Sequence, residues 1–323
     1  MHALPPLART LIDRDADARA LDDLAERLDA DPTALAVAVH AGRLLVAQQV
    51  EGSAPQLELR HPSKLPDAPE RAGSPAPLRI YLGRLQPGGA PVELRVLDDE
   101  SALALEPEAA RWQGLRQLAT VLDDAHASLA TEAIALAGWH ERHPRCPRCG
   151  AATEPVQAGW ARRCEADASL HFPRTDPAVI VLVTDDDDRV LLGSNAMWEQ
   201  RRFSLLAGFV EPGESLEAAV VREIGEEAGV AVDRVEYVAS QPWPFPASIM
   251  LGFRARVAAG VDPATARADG EEILELRWFT REELAAAADD GVVVPGSASI
   301  ARWLLDGWFG GPVPDSDLPW TTR

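Results

Sequence analysis

The segment that most constrains this chain is a loop running into a helix, residues 208–230: Gly208-Phe209-Val210-Glu211-Pro212-Gly213-Glu214-Ser215-Leu216-Glu217-Ala218-Ala219-Val220-Val221-Arg222-Glu223-Ile224-Gly225-Glu226-Glu227-Ala228-Gly229-Val230. Gly208 and Gly213 permit a tight loop with positive φ. Ser215 is placed as a helix N-cap and Gly229 as the residue that ends the helix. Between them Leu216, Ala219, Val220 and Ile224 recur at helical spacing, as a buried stripe requires. On the same helix Glu223, Glu226 and Glu227 stand at i, i+3 and i+4 and share a face. Like charges so placed weaken an isolated helix by roughly a few tenths of a kcal/mol per pair. A hard divalent cation would offset that cost, because Mg²⁺ and Mn²⁺ take carboxylate and phosphate oxygens together. Arg222, beside the cluster, is positioned to hold a carboxylate. The competing reading is a solvated acidic face, the usual meaning of a charge run.

Around this helix the pattern alternates. Residues 177–184 form a continuous apolar strand, 185–188 an acidic turn, and 190–193 a second strand. Strands near 235–240, 249–255 and 273–279 follow, with helical spacing at 281–287 and 299–305. Such alternation predicts an α/β or α+β domain over 174–312. The residues before it read as a mixed α/β domain, 1–137, with strands at 35–40, 44–48, 80–83 and 92–97, a Pro-rich loop at 53–77 and helical spacing at 107–137. No catalytic constellation is visible in that first domain. Residues 138–173 hold all three cysteines, and 313–323 read as an extended tail.

Charge and cysteine usage narrow the function. The 323 residues carry 51 Asp and Glu against 31 Lys and Arg, a formal charge of −20. That balance excludes a grip on long nucleic acid through its phosphates, which needs surplus Lys and Arg. Three cysteines cannot form a fully paired disulfide framework and suit a reducing cytoplasm. Met1-His2-Ala3-Leu4-Pro5-Pro6 lacks the pattern of a secretory leader. The longest apolar runs are far short of the roughly 20 residues of a membrane helix, so no membrane partner is expected.

The loop and helix match G-x5-E-x7-R-E-U-x-E-E-x-G-U, with U an apolar residue, at every specified position. The chain therefore resembles the Nudix hydrolases. Downstream, Ser240-Gln241-Pro242-Trp243-Pro244-Phe245-Pro246-Ala247-Ser248 is similar to the signature of their NADH pyrophosphatase subfamily, and the likeness extends over 139–307. Read alone, those prolines make a rigid loop, with Trp243 and Phe245 either plugging a core edge or walling a flat ring.

The resemblance implies an α/β/α sandwich with a mixed sheet. It implies Mg²⁺- or Mn²⁺-dependent hydrolysis of NADH or NAD⁺ to nicotinamide mononucleotide and AMP; some members remove an NAD cap from RNA 5′ ends. By position, Glu223 and Glu227 are implied metal ligands, and Glu226 a ligand or a base that orients water. Ala207 would offer its carbonyl to a metal and Glu272 would be a late ligand, with Glu271 and Glu275 as alternatives. Gln241 to Ser248 would contact substrate, Phe172 and Phe209 would stack on it across a homodimer, and Ala301 would line the base pocket. Phe172 and Phe209 also read as core residues.

Cys146-x2-Cys149 followed by Cys164 resembles half of a zinc ribbon. Relatives often carry a second C-x-x-C, whereas this chain reads Cys164-Glu165-Ala166-Asp167-Ala168-Ser169-Leu170-His171. Asp167 occupies the expected fourth position, His171 is the softer zinc partner, and His143 is a further option. The alternative is three reduced thiols without zinc. A sensor that binds a nucleotide without cleaving it, and a hydrolase of ADP-ribose or dinucleoside polyphosphates, are the competing functions. The intact carboxylates argue against the first, and the Pro-Trp-Pro-Phe-Pro run against the second.

Overall fold

A computed structural model describes residues 4–49, 52–66, 78–199 and 201–316. The expected tail beyond residue 316 and the loop at 67–77 lie outside the described residues. The chain divides into two compact units: Arg9–Thr175 with Pro244–Ala247, and Asp176–Trp243 with Ser248–Arg323 and Met1–Ala8.

The unit built on Arg9–Thr175 holds a seven-stranded sheet. Its strands are β1 (Ile12–Asp13), β2 (Leu35–His40), β3 (Arg43–Leu45), β4 (Leu59–Arg60), β5 (Leu78–Leu85), β6 (Ala90–Leu97) and β7 (Trp112–Gly114). They run in the order β1-β5-β6-β2-β3-β7, with β4 on β2. Helices α1 (Leu24–Ala30), α2 (Asp99–Leu105), α3 (Leu115–Leu118) and α4 (Asp124–Arg142) accompany it. The helical spacing over 107–137 is therefore interrupted. Trp112 pairs with Leu45 as part of β7, and the 19-residue α4 starts only where Asp123 accepts from the His126 amide at 2.9 Å. Sheet pairing of a large aromatic outweighs local propensity there. A small sheet follows, ordered β10-β9-β8, from β8 (Thr153–Val156), β9 (Ala161–Cys164) and β10 (Leu170–His171).

The other unit is built on β11 (Asp176–Thr184), β12 (Val190–Asn195), β13 (Leu206–Phe209), β14 (Val232–Trp243), β15 (Ser248–Val257) and β16 (Ile273–Phe279). The order is β14-β15-β11-β12-β16, with β13 on β11; β11 and β15 are parallel and the other pairs antiparallel. Side chains alternate across a strand, so the apolar run of β11 supplies both faces. Val179, Val181 and Val183 pack with Ala219, Val220 and Ile224 of helix α5 (Leu216–Ala228). Ile180 and Leu182 pack with Leu284 of α6 (Arg281–Ala287) and with Ile300 and Leu304 of α7 (Ile300–Phe309). The result is the expected three-layer sandwich with a mixed sheet. Each fully buried aliphatic side chain contributes roughly 1.5–3 kcal/mol, so the stripe of α5 fixes that helix on the sheet.

One expectation needs correcting. Gln241, Pro242 and Trp243 are not in a loop: they are the last residues of β14, paired with Met250, Ile249 and Ser248. Pro242 is tolerated because β14 is the edge strand, where a missing N–H costs no ladder bond. Only Pro244–Ala247 form the turn. Among the described residues no helix is long and apolar enough to cross a membrane.

Candidate active site

The entry to α5 is built as its sequence predicts. The Ser215 hydroxyl accepts from the Ala218 amide at 3.2 Å, Gly213 turns with φ +89°, and Gly229 ends the helix at φ +66°. Gly208 differs from expectation, because its φ is not positive. Its glycine is required by space: a Cβ there would stand 2.0 Å from the Glu223 carboxyl group.

The three carboxylates of α5 do not share one solvated face. Glu227 is 3% exposed, Glu223 12% and Glu226 62%. Glu223 and Glu227, one turn apart, turn toward the sheet, while Glu226 points outward. Burial is the main reason the Glu227 carboxyl is pushed up to about 8, and Glu272, Glu223 and Asp269 add like charge. The Ala207 amide opposes this by hydrogen bonding to it. Glu223 is raised as well, by burial first, with Arg222 pulling the other way. Glu227 Oε2 is buried without a hydrogen-bond partner. An orphaned, buried acceptor among like charges is costly unless a cation completes it, so this donor set fits a hard divalent ion.

Arg222 organises the cluster. Its guanidinium holds Glu214 through two bonds of 2.9 Å, reaches Glu226 at 3.0 Å and Glu223 at 2.9 Å, and donates to the Phe209 carbonyl at 2.9 Å. It thereby ties the loop to the helix, and Glu214 is held below the ordinary carboxylate range mainly by this arginine. Glu214 was not foreseen as a positioning residue. Its signal is the box itself, in which a glutamate stands eight residues before the arginine. Asp269 was also missed: its Oδ1 accepts from the amides of Glu271, Glu272 and Ile273 at 2.9–3.0 Å and shapes the turn that presents Glu272. Asn195 Nδ2 donates to Glu272 Oε1 at 3.3 Å. The Asp269-Gly270 turn signal was the available hint.

Ala207 lies in β13, opposite Ile180. Glu223, Glu226, Glu227 and Glu272 are spread more widely than an all-protein cage. Among the described residues, the one group of three or more His, Cys, Asp or Glu with donor atoms within 4.8 Å of one another is elsewhere. Mg²⁺ keeps water and substrate phosphate in its shell, so a wide carboxylate arc suits it.

That other group is Cys146, Cys149, Cys164 and Asp167. Cys149 Sγ and Cys164 Sγ stand 3.5 Å apart, close to the roughly 3.8 Å edge of a tetrahedron with zinc–sulfur bonds of about 2.3 Å. Asp167 also accepts from the Ser169 amide at 2.9 Å and hydroxyl at 2.6 Å, which aims it at the thiols. His171 is outside the group, with Nε2 3.2 Å from Ser169 Oγ, and His143 Nδ1 is occupied by the Trp139 carbonyl at 3.1 Å.

The remaining predicted residues have definite places. Gln241 is fully buried: its Nε2 donates to the Ala298 carbonyl at 3.0 Å and its Oε1 has no partner. Ala301 is buried in the core cluster of α6 and α7. Phe209 is 58% exposed and Phe172 61%, so neither is a core residue. Arg116 covers the Phe245 ring at 4.4 Å, and the Pro246 carbonyl accepts from Arg142 at 2.7 Å. Pro244 and Ala247 flank them in the turn, and Ser248 starts β15.

An α/β/α sandwich that presents a carboxylate helix from its central sheet defines a metal-dependent hydrolase of phosphate anhydrides. Comparison with known proteins gives the family. Residues 174–303 match the NUDIX domain, 141–172 the NADH pyrophosphatase zinc ribbon domain, and 33–139 the NADH pyrophosphatase-like rudimentary NUDIX domain. The NAD-capped RNA hydrolase NudC of Deinococcus radiodurans is 38% identical over 290 residues, covering 88% of this chain and 90% of that protein. That of Mycobacterium tuberculosis H37Rv is 42% identical over 253 residues, covering 74% and 78%. The chain belongs to the Nudix hydrolase family, in its NADH pyrophosphatase branch. The cysteine cluster of its ribbon fits a structural zinc ion, and its acidic helix fits the Mg²⁺ or Mn²⁺ that Nudix enzymes use.

Proposed function

We infer that this protein hydrolyses the diphosphate of NADH and NAD⁺ to nicotinamide mononucleotide and AMP, and removes the NAD cap from RNA 5′ ends. The observation that carries the reading is the intact carboxylate set on α5, with Glu227 buried and its Oε2 unpartnered, in a chain 38–42% identical to NAD-capped RNA hydrolases. A sensor without hydrolysis would have no need of that costly arrangement.

When bound, the divalent cation neutralises charge developing on the phosphoryl oxygens. Glu223, Glu227 and Glu272, with the Ala207 carbonyl, are the residues we assign to hold it. Water attacks one phosphorus, the bridging P–O bond breaks, and the proton passes to a carboxylate. We assign Glu226 to orient that water; its exposure and its bond from Arg222 at 3.0 Å support the role. Coupled carboxylates titrate together, so the proton belongs to the group. Gln241–Ser248, Ala301, Phe209 and Phe172 are assigned to the dinucleotide. Exposed aromatic rings at 172 and 209 support stacking across a homodimer. Three free cysteines support a cytoplasmic setting. Cys146, Cys149, Cys164 and Asp167 are assigned to zinc. We place the domain limits at 1–137, 138–173 and 174–312, with a tail from 313.

Product analysis with NADH, NAD⁺, ADP-ribose and NAD-capped RNA side by side, with and without Mn²⁺, tests the assignment. We expect nicotinamide mononucleotide and AMP from NADH only with metal. Equal or better turnover of ADP-ribose overturns the substrate assignment.

A further inference from the structure

Within the unit that carries α4 and the small β8–β10 sheet there is a cavity of about 670 Å³, in the range of small-molecule sites. Its lining is mostly apolar, including Val39, Val96, Ile134 and Ala137, with Pro244, Phe245 and Pro246 as one wall. Arg162 also lines it.

Arg162 is 5% exposed, and among the described residues every partner it has is neutral. Nε donates to Thr153 Oγ1 at 2.6 Å, Nη2 to the Thr153 carbonyl at 2.6 Å, and Nη1 to His140 Nδ1 at 2.8 Å. Arginine cannot accept, so His140 Nδ1 is the acceptor, and its Nε2–H donates to the Gly159 carbonyl at 2.8 Å. The imidazole is thereby fixed in one neutral tautomer, and burial holds its pKa down to about 4. Among the described residues the guanidinium therefore stands buried without a counter-charge. Three of its five N–H groups are used, leaving two, enough for the two oxygens of a carboxylate. A buried cation lacking an anion is among the costliest features a fold can keep. The other charged lining residues are Arg142, Asp98 and Glu141, so that with Arg162 the lining carries two positive and two negative groups. The lining is thus neutral overall, and the cavity offers one buried guanidinium with two unused N–H groups beside apolar walls, which suits a single carboxylate on an apolar body better than a phosphate with nearly two negative charges.

We propose that this cavity binds a small apolar or aromatic monocarboxylate, its carboxylate on Arg162 and its body between α4 and the Pro244–Pro246 wall.

The test uses the full-length, zinc-loaded protein, with benzoate as the probe and benzamide as its neutral isostere, titrated by calorimetry. Saturable benzoate binding at least tenfold tighter than that of benzamide is expected. Arg162→Met should abolish the preference. Ala137→Phe, which fills the cavity and leaves Arg162 in place, should abolish binding and locates the site even if the arginine variant does not fold. Absence of saturable benzoate binding, equal binding of benzamide, or unchanged binding in Ala137→Phe overturns the proposal.

Discussion

Gly208 and Glu223 share a space that admits no side chain: a Cβ at residue 208 would lie 2.0 Å from the Glu223 carboxyl carbon. This glycine of β13 thus sets where the first carboxylate of the helix stands. Gly208→Ala should displace that carboxylate by about 1 Å and lower kcat/KM for NADH by about a hundredfold. The far-ultraviolet circular dichroism should be unchanged. Retention of full activity would show that the position of Glu223 is not critical.

Glu227→Gln separates catalysis from stability. It removes a buried carboxylate whose Oε2 has no partner. In EDTA at pH 9, above the value of about 8 to which its carboxyl is raised, the variant should melt at or above the wild-type temperature, because a costly buried charge is gone. Activity should fall by about a hundredfold or more, and the stabilisation conferred by Mn²⁺ should disappear. Thermal melting with and without Mn²⁺, beside NADH hydrolysis, reads both effects.

Glu132, on α4, gives a pH dependence that does not involve the carboxylates of α5. Burial pushes its carboxyl from 4.5 up to about 7, although Arg14 Nη1 stands 3.2 Å away and Arg19 is nearby. The folded state keeps this proton to higher pH than the unfolded state. The contribution is fully present below about pH 4.5 and is lost as pH rises through about 7. The shift corresponds to roughly 3 kcal/mol. Glu132→Gln should flatten that slope and be more stable than wild type at pH 8, as measured by denaturant unfolding at pH 5 and 8.

Asp167 groups with three thiols, whereas His171 does not. Asp167→Ala should lose zinc in an EDTA challenge that spares wild type, and His171→Ala should retain it. Asp167→Cys should hold zinc more tightly, since thiolate is the softer ligand. Zinc content by mass spectrometry after the challenge decides between the two residues.

Arg222→Lys tests the clamp between loop and helix. A lysine cannot hold both oxygens of Glu214 and also reach the Phe209 carbonyl. Activity should drop by about tenfold or more, with stability lower by about 1–2 kcal/mol, as read by NADH turnover and thermal melting. An unchanged rate would assign Arg222 a structural role alone.

Much of this was legible in the chain. The buried stripe of α5, its cap at Ser215, its stop at Gly229 and the apolar run of β11 depend on local spacing and conformational preference, which sequence records directly. The first domain was read less well at 107–137, where Trp112 joins a sheet edge whose partner, Leu45, is distant in the chain. The Gln241-Pro242-Trp243 stretch was misread for the same reason: a proline is tolerated in a strand only where that strand is an edge, and edge position is a property of the sheet.

By itself, the sequence determined the family and the reaction class, and it picked out the helix carboxylates and the three cysteines as candidate metal ligands, because ligand chemistry and spacing on a helix or in a turn are local. The tertiary structure decided the rest. It graded Glu223, Glu226 and Glu227 from buried to exposed, because α5 rotates one side into the sheet. It brought Glu214 and Asp269 into supporting roles, gathered Asp167 with the cysteines, and left Arg162 facing a cavity with only neutral partners among the described residues. Burial, electrostatic neighbours and distance depend on which distant segments meet, and packing alone settles that.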